Sequence, residues 1–236
     1  MEHILDNPVW HALETENGHL GHISGTAASF SPAVSPFVAL FEPTPENLLD
    51  LYLTVPFDNT VILVSNQKMN IGGPWTNVLR IPGHQMLYQQ EYPQVAKDSE
   101  PVALQEKHVP QMLALTQLTN PGPFLPRTID FGHYEGIFND SQLISMAGQR
   151  LHVPGFAEIS AVCTDPHYLG KGFARQLVMR QVRRIMDASE TPFLHVKANN
   201  IRAIKVYESL GFKFRTEIHF YALTKKSEFL TRLNPI

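Results

Sequence analysis

The stretch Thr164-Asp165-Pro166-His167-Tyr168-Leu169-Gly170-Lys171-Gly172-Phe173-Ala174-Arg175 joins an apolar run to a helix-like pattern through two glycines and two cations. The chemistry open to such a turn is anion binding. Free backbone N–H groups gather at the positive end of a helix dipole, where a phosphate or pyrophosphate is stabilised. Gly170 and Gly172 carry no Cβ, so an oxyanion can approach their backbone closely. Two common phosphate motifs do not fit. A P-loop needs Ser or Thr after Gly-Lys, and Gly172 follows Lys171; the dinucleotide fingerprint needs a third small residue, where Arg175 stands. The turn alone leaves a plain strand-to-helix connection open as well.

Other reactive types are scattered. Glu158 stands between Ala157 and Ile159 on an apolar run, where a carboxylate needs a reason to be present. Cys163 lies in the same run with no catalytic Cys-His or Ser-His-Asp pattern around it, and reads as a small core residue. A single cysteine also excludes a disulfide framework and a cysteine-based zinc site. His19 and His22 are three apart but lack neighbouring carboxylate or thiolate ligands, so no metal is expected there.

The elements that must position these groups follow from pattern. Phe156–Thr164 and Phe193–Ala198 read as strands, and Gly172–Asp187 as an amphipathic helix with Phe173, Leu177, Val178, Val182, Ile185 and Met186 at helical spacing. Asn200 can cap a helix over Ile201–Leu210, and Gly211 suits its end. Phe212–Arg215 and Ile218–Leu223 read as two closing strands. Upstream, Val102–Gln105 reads as a strand and Val109–Thr119 as a helix stopped by Asn120-Pro121-Gly122-Pro123; a hairpin over Tyr134–Phe138 and Gln142–Gln149 turns at Asn139-Asp140-Ser141. In the first hundred residues, Pro8 and Pro45 open helices, and Phe37–Phe41 and Thr60–Ser65 are strands. Ser24–Pro36 reads as a loop, Gly72-Gly73-Pro74 as a turn, and residues 89–101 as a polar linker. No internal repeat is visible.

Together with Asn199–Phe212, the glycine turn resembles the GCN5-related N-acetyltransferase (GNAT) superfamily, most closely its FR47-like branch. The family's Arg/Gln-x-x-Gly-x-Gly/Ala turn falls on Leu169, Gly172 and Ala174; its Asn-x-x-Ala-x-x-x-Tyr-x-x-x-Gly-Phe pattern falls on Asn200, Ala203, Tyr207, Gly211 and Phe212. Leu169 departs from the usual Gln or Arg. The likeness covers about residues 100–223. It implies an α+β fold: a mixed, mostly antiparallel sheet with central splayed parallel strands, flanked by helices. The expected organisation is a smaller α/β N-terminal domain over 1–95 and the acetyltransferase domain over 96–236.

The resemblance also implies the ligands and roles. Acetyl-CoA would lie between the two parallel strands. The backbone of Val162, Cys163 and Thr164 would pair with its pantetheine arm. Gly170, Lys171, Gly172, Phe173, Ala174 and Arg175 would hold the pyrophosphate. Asn200 would bond the pantetheine or fix the loop, Ala203 would leave room beside the coenzyme, and Arg202 would add an outer phosphate contact. A protonated amine is not a nucleophile, so a base is needed. Glu158 is the first candidate and His195 the second, each with an ion-paired or satisfied buried group as the alternative. Tyr207 would protonate the departing thiolate. The acceptor would be a small amine or amino acid, with a protein N-terminus or lysine, or a non-catalytic acyl-CoA binder, as alternatives.

Charge is uneven. Residues 151–236 hold 13 Lys and Arg against 7 Asp and Glu, a net +6; the first 150 hold 6 against 15, a net −9. With the turn in view, the anionic partner of the basic half is a coenzyme rather than nucleic acid. No basic-then-apolar leader and no run of roughly 20 apolar residues is present, so a cytoplasmic protein without membrane association is the expectation.

Overall fold

The computed structural model describes residues 3–55, 60–91 and 101–226. Pro8 starts α1 (Pro8–Glu14) at the position where its missing N–H costs nothing. Strands β1 (Gly21–Ser24) and β2 (Ala27–Phe30) form a hairpin where the sequence reads as a loop. Their small residues give no strand signal, and all four of β2 are buried by neighbours distant in sequence. Next come β3 (Phe37–Leu40), α2 (Pro45–Thr54) and β4 (Val61–Ser65). The Thr44 hydroxyl caps α2 by accepting from the Asn47 N–H at 3.2 Å. The long strand β5 (Trp75–Tyr88) has no counterpart in the sequence reading. It contains Pro82 and Gly83 and is half exposed, so only its partners make it a strand.

The second half follows expectation more closely. It holds β6 (Val102–Ala103), α3 (Val109–Thr119), β7 (Glu135–Asn139), β8 (Gln142–Val153), β9 (Phe156–Thr164), α4 (Phe173–Asp187), β10 (Thr191–Lys197), α5 (Ile201–Ser209) and β11 (Phe212–Lys225). Asn120 ends α3 in the left-handed region at φ 47°. The two closing strands of the sequence reading are one strand, bulged between Phe214 and Thr216.

The described strands form one 11-stranded sheet in the order β1-β2-β3-β4-β11-β5-β10-β9-β8-β7-β6. From its centre outwards, the two halves repeat one topology. A parallel pair joined through a helix (β3 and β4 with α2; β9 and β10 with α4) is flanked by antiparallel strands. The central strands are exchanged. β11, from the C-terminal half, lies against β4, and β5, from the N-terminal half, lies against β10. The boundary expected near residue 95 therefore does not separate two sheets, and residues 92–100 lie outside those described.

The sheet curls. Helix α1 packs against both β8 and β3, and one apolar core of α1, α3 and both arms fills the concave side. Outer layers are built by α2 over β3, β4 and β11, and by α4 and α5 over β9 and β10. Among the described residues, no helix is long and apolar enough to cross a membrane.

Candidate active site

The parallel strands β9 and β10 pair at only three positions, Thr191 with Phe156, Pro192 with Ala157 and Phe193 with Glu158. Past Glu158 they part into a fork. β9 is bulged just there: Cys163 pairs with Met146 and Ser160 with Gly148, so Ala161 and Val162 oppose one residue of β8. Ala161 takes φ 52°, a left-handed conformation costing a non-glycine residue about 1–3 kcal/mol. Such bulges re-aim backbone groups beside reaction centres.

At the open end of the fork stands the glycine turn. Gly170 and Gly172 adopt φ 79° and 84°, and a Cβ built on either would meet nothing within 4 Å. Helix α4 begins at Gly172 without a side-chain cap. Among the described residues, the N–H groups from Gly170 to Arg175 have no hydrogen-bond acceptor. A turn with this many free donors, open to approach and carrying exposed Lys171 and Arg175, fits a pyrophosphate; Arg202, on α5, is exposed as well. Lys171 lies over the Tyr168 ring at 4.9 Å, and Leu169 is exposed. The Asn200 side chain accepts from the Ala203 N–H at 3.2 Å and so caps α5. That helix turns Ala203 and Tyr207 onto the same apolar layer as Val162.

Tyr207 is half-buried, its ring edge-on to Phe212. Burial, with Cys163 adding, pushes its phenol up to about 12, so it stays protonated at neutral pH. Cys163 is buried, and burial likewise pushes its thiol up to about 12, too high for a nucleophile. Ser145 hydrogen-bonds both the Cys163 carbonyl, at 2.9 Å, and the Thr164 hydroxyl, at 2.7 Å, fixing that end of β9.

Glu158 and His195 come together, but on the other side of the sheet from Tyr207. Both face the concave core. Glu158 is fully buried and its carboxylate is saturated. Arg150 donates through Nε at 2.9 Å and Nη2 at 2.5 Å, His195 Nδ1 lies at 2.8 Å, and the Leu151 N–H donates at 3.2 Å. Burial alone would raise this carboxyl; Arg150 and His195 outweigh it and hold it well below the usual carboxylate range. A strongly acidic, enclosed carboxylate is a poor proton acceptor for an amine, so the ion-paired alternative describes Glu158 here. The His195 side chain is 2% exposed, between the rings of Phe193 and Phe220.

Sequence reasoning missed Gln85, which lies on the unread strand β5. Its Nε2 is 3.0 Å from His195 Nε2 and donates to the Leu5 carbonyl at 2.9 Å. Arg215, at the β11 bulge, donates to Gln85 Oε1 at 2.7 Å and to Asp6 at 2.6 Å. No motif signals either residue. On α4, Arg180 pairs with Glu135, and Arg184 donates to Gln149 and Gln181. The loop over 121–127 is tied to the first half, Arg127 N–H to Ala33 carbonyl at 3.0 Å.

A family model described as FR47-like protein matches residues 134–221. A solved GNAT-family protein from Novosphingobium aromaticivorans is 34% identical, covers 96% of this chain and 100% of its own, and superposes with a TM-score of 0.88. The mycothiol acetyltransferase of Mycobacterium marinum is 29% identical over 92 residues, 35% of this chain and 29% of that protein. A Bacillus subtilis subsp. natto protein named probable spermine N(1)-acetyltransferase is 31% identical over 58 residues, 24% of this chain and 38% of its own length. The chain thus spans under half the length of both curated relatives, whereas its likeness to the solved structure runs end to end. With the fork, the bulge and the glycine turn in their places, the chain belongs to the GCN5-related N-acetyltransferase superfamily.

Proposed function

We propose that this protein transfers an acetyl group from acetyl-CoA to a primary amine within a ternary complex. The observation that carries the reading is the fork of β9 and β10, with a turn of unpaired N–H groups at its open end. The backbone from Gly170 to Arg175 holds the pyrophosphate, with Lys171, Arg175 and Arg202 outside it. Val162, Cys163 and Thr164 offer backbone groups to the pantetheine, and a donor at the bulge near Val162 meets the developing oxyanion. The amine nitrogen bonds the thioester carbon, the carbon–sulfur bond breaks, and Tyr207 donates to the departing sulfur. The amine's proton leaves through water at the open fork, since Glu158 and His195 are enclosed. A small cationic amine is favoured as acceptor. The −9 balance of the first 150 residues and the partial likeness to the spermine enzyme's sequence support it.

The test is release of CoA thiol from acetyl-CoA across amines, amino acids and peptides. Acceptor-dependent release is expected. Tight acetyl-CoA binding without turnover over a broad panel would make the protein a binder instead, and absent binding would sink both readings. The pH dependence is a second expectation. With water as the proton's exit, kcat/KM should rise with the unprotonated fraction of the acceptor and shift when an amine of lower pKa is used. A limb fixed regardless of acceptor would point to a base on the protein.

Gly172→Val should weaken acetyl-CoA binding about tenfold or more, since a β-branched residue at φ 84° is strained and fills the open approach. Calorimetric titration checks this; unchanged affinity would remove the turn from the binding site.

A further inference from the structure

Arg215, Gln85, His195 and Glu158 form one chain of hydrogen bonds, and its directions follow from its first member. A guanidinium only donates. Arg215 donates to Gln85 Oε1, so Gln85 Nε2 is the donor end of the amide. Gln85 therefore donates to His195 Nε2, which must be unprotonated. The ring's proton is then on Nδ1, donated to the Glu158 carboxylate. The far end of the chain is fixed by Arg150 on Glu158, and the near end by Asp6 on Arg215.

The location gives the chain its meaning. Glu158 stands at the last rung between β9 and β10, and His195 is two residues beyond its partner Phe193, where the backbone ladder has stopped. The Glu158–His195 bond is a side-chain rung at the root of the fork. Gln85 pairs with His195 from β5, the strand contributed by the other half.

We propose that Gln85 is a positioning residue of the acyl-CoA site: by fixing the tautomer of His195 it holds the rung to Glu158 and sets the geometry of the fork. This rests on the acetyl-CoA reading above. Gln85 gives the N-terminal half a part in coenzyme binding, and Glu158 and His195 have no proton to take from the acceptor. The charged and titratable groups around the ring are Glu158 on β9, Arg150 on β8, Arg215 on β11, Asp6 before α1 and Tyr134 beside β8.

Nitrogen NMR of the full chain, without ligand at pH 7.5, reads the ring directly. The expected state has Nδ1 protonated and Nε2 bare. Gln85→Glu keeps the shape but replaces the donor by an acceptor, so both ring nitrogens should become protonated. Its Kd for acetyl-CoA, by calorimetry, should rise by about tenfold. Kinetics should show a raised KM for acetyl-CoA with kcat changed less. Glu158→Gln should leave the pH limb of kcat/KM where the acceptor puts it. A doubly protonated or Nε2-protonated ring in the parent protein would overturn the proposal, as would unchanged affinity in Gln85→Glu or a displaced pH limb in Glu158→Gln. Failure of the parent protein to bind acetyl-CoA would instead overturn the functional reading, whatever the state of the ring.

Discussion

Glu158→Ala is expected to lower stability by about 3–5 kcal/mol, the cost of leaving the Arg150 guanidinium buried without its partner. For a chain of this size that corresponds to a fall in Tm of roughly 6–20 °C. The same variant removes the acceptor of the His195 proton and of the Leu151 N–H, so three buried donor groups lose their place at once. Glu158→Gln keeps an oxygen for Arg150 and should lose less. The pH dependence follows in sign. The carboxyl is held below its unfolded value of 4.5, so its contribution is present above that value and is lost as pH falls further below it. Thermal melts of parent and variant from pH 7 down to about pH 3 check both statements, because the gap between them should shrink as the unfolded parent's carboxyl takes up a proton that the native carboxylate does not. A variant melting within about 2 °C of the parent at pH 7 would be inconsistent with a buried, load-sharing ion pair.

Tyr207→Phe should cut kcat by about 10- to 100-fold, the worth of one hydrogen bond of about 1.5–3 kcal/mol to a charged sulfur. The magnitude separates hydrogen bonding from full proton transfer. With its phenol pushed up to about 12, Tyr207 is a weaker acid than a thiol near 8.5, so giving its proton away outright is uphill by about 3.5 pH units. Donating a hydrogen bond to the developing thiolate needs no such transfer. KM for acetyl-CoA should hardly change, because the ring still packs on Phe212 and the layer around Val162. An acyl donor with a more acidic thiol needs less help, so the loss should shrink with an aryl thioester. An equal loss with both donors, or no loss with acetyl-CoA, would take Tyr207 out of the transfer step.

The strongest local signals lay where a residue's neighbours in sequence are also its neighbours in space. Gly170, Gly172 and the α4 pattern define a turn, and Asn200, Ala203 and Tyr207 fall on one short capped helix. Proline starts at α1 and α2, the Asn120 stop of α3 and the limits of β9 read directly for the same reason. The β1–β2 hairpin and β5 gave no such signal. Their residues are small, polar or interrupted by Pro82 and Gly83; β5 is a strand through pairing with the distant β10 and β11, and β1 and β2 pair with each other where α1 packs on them.

The amino-acid sequence by itself determined the superfamily likeness, the glycine turn ahead of α4 and the residue types available to the reaction, since these are short-range patterns. Only the tertiary structure decided what the buried polar groups do. Glu158 looks the same in sequence whether it is a free base or an ion pair; Arg150, eight residues away across the β8–β9 hairpin, makes it the latter, and His195, across the fork, hydrogen-bonds the same carboxylate. The repeated topology is equally invisible in the letters. Strand exchange brings β5 beside β10 and places Gln85 against His195, 110 residues apart. Sheet pairing and burial are long-range, so the assignment of proton donor, acceptor and charge at the root of the fork belongs to the folded chain alone.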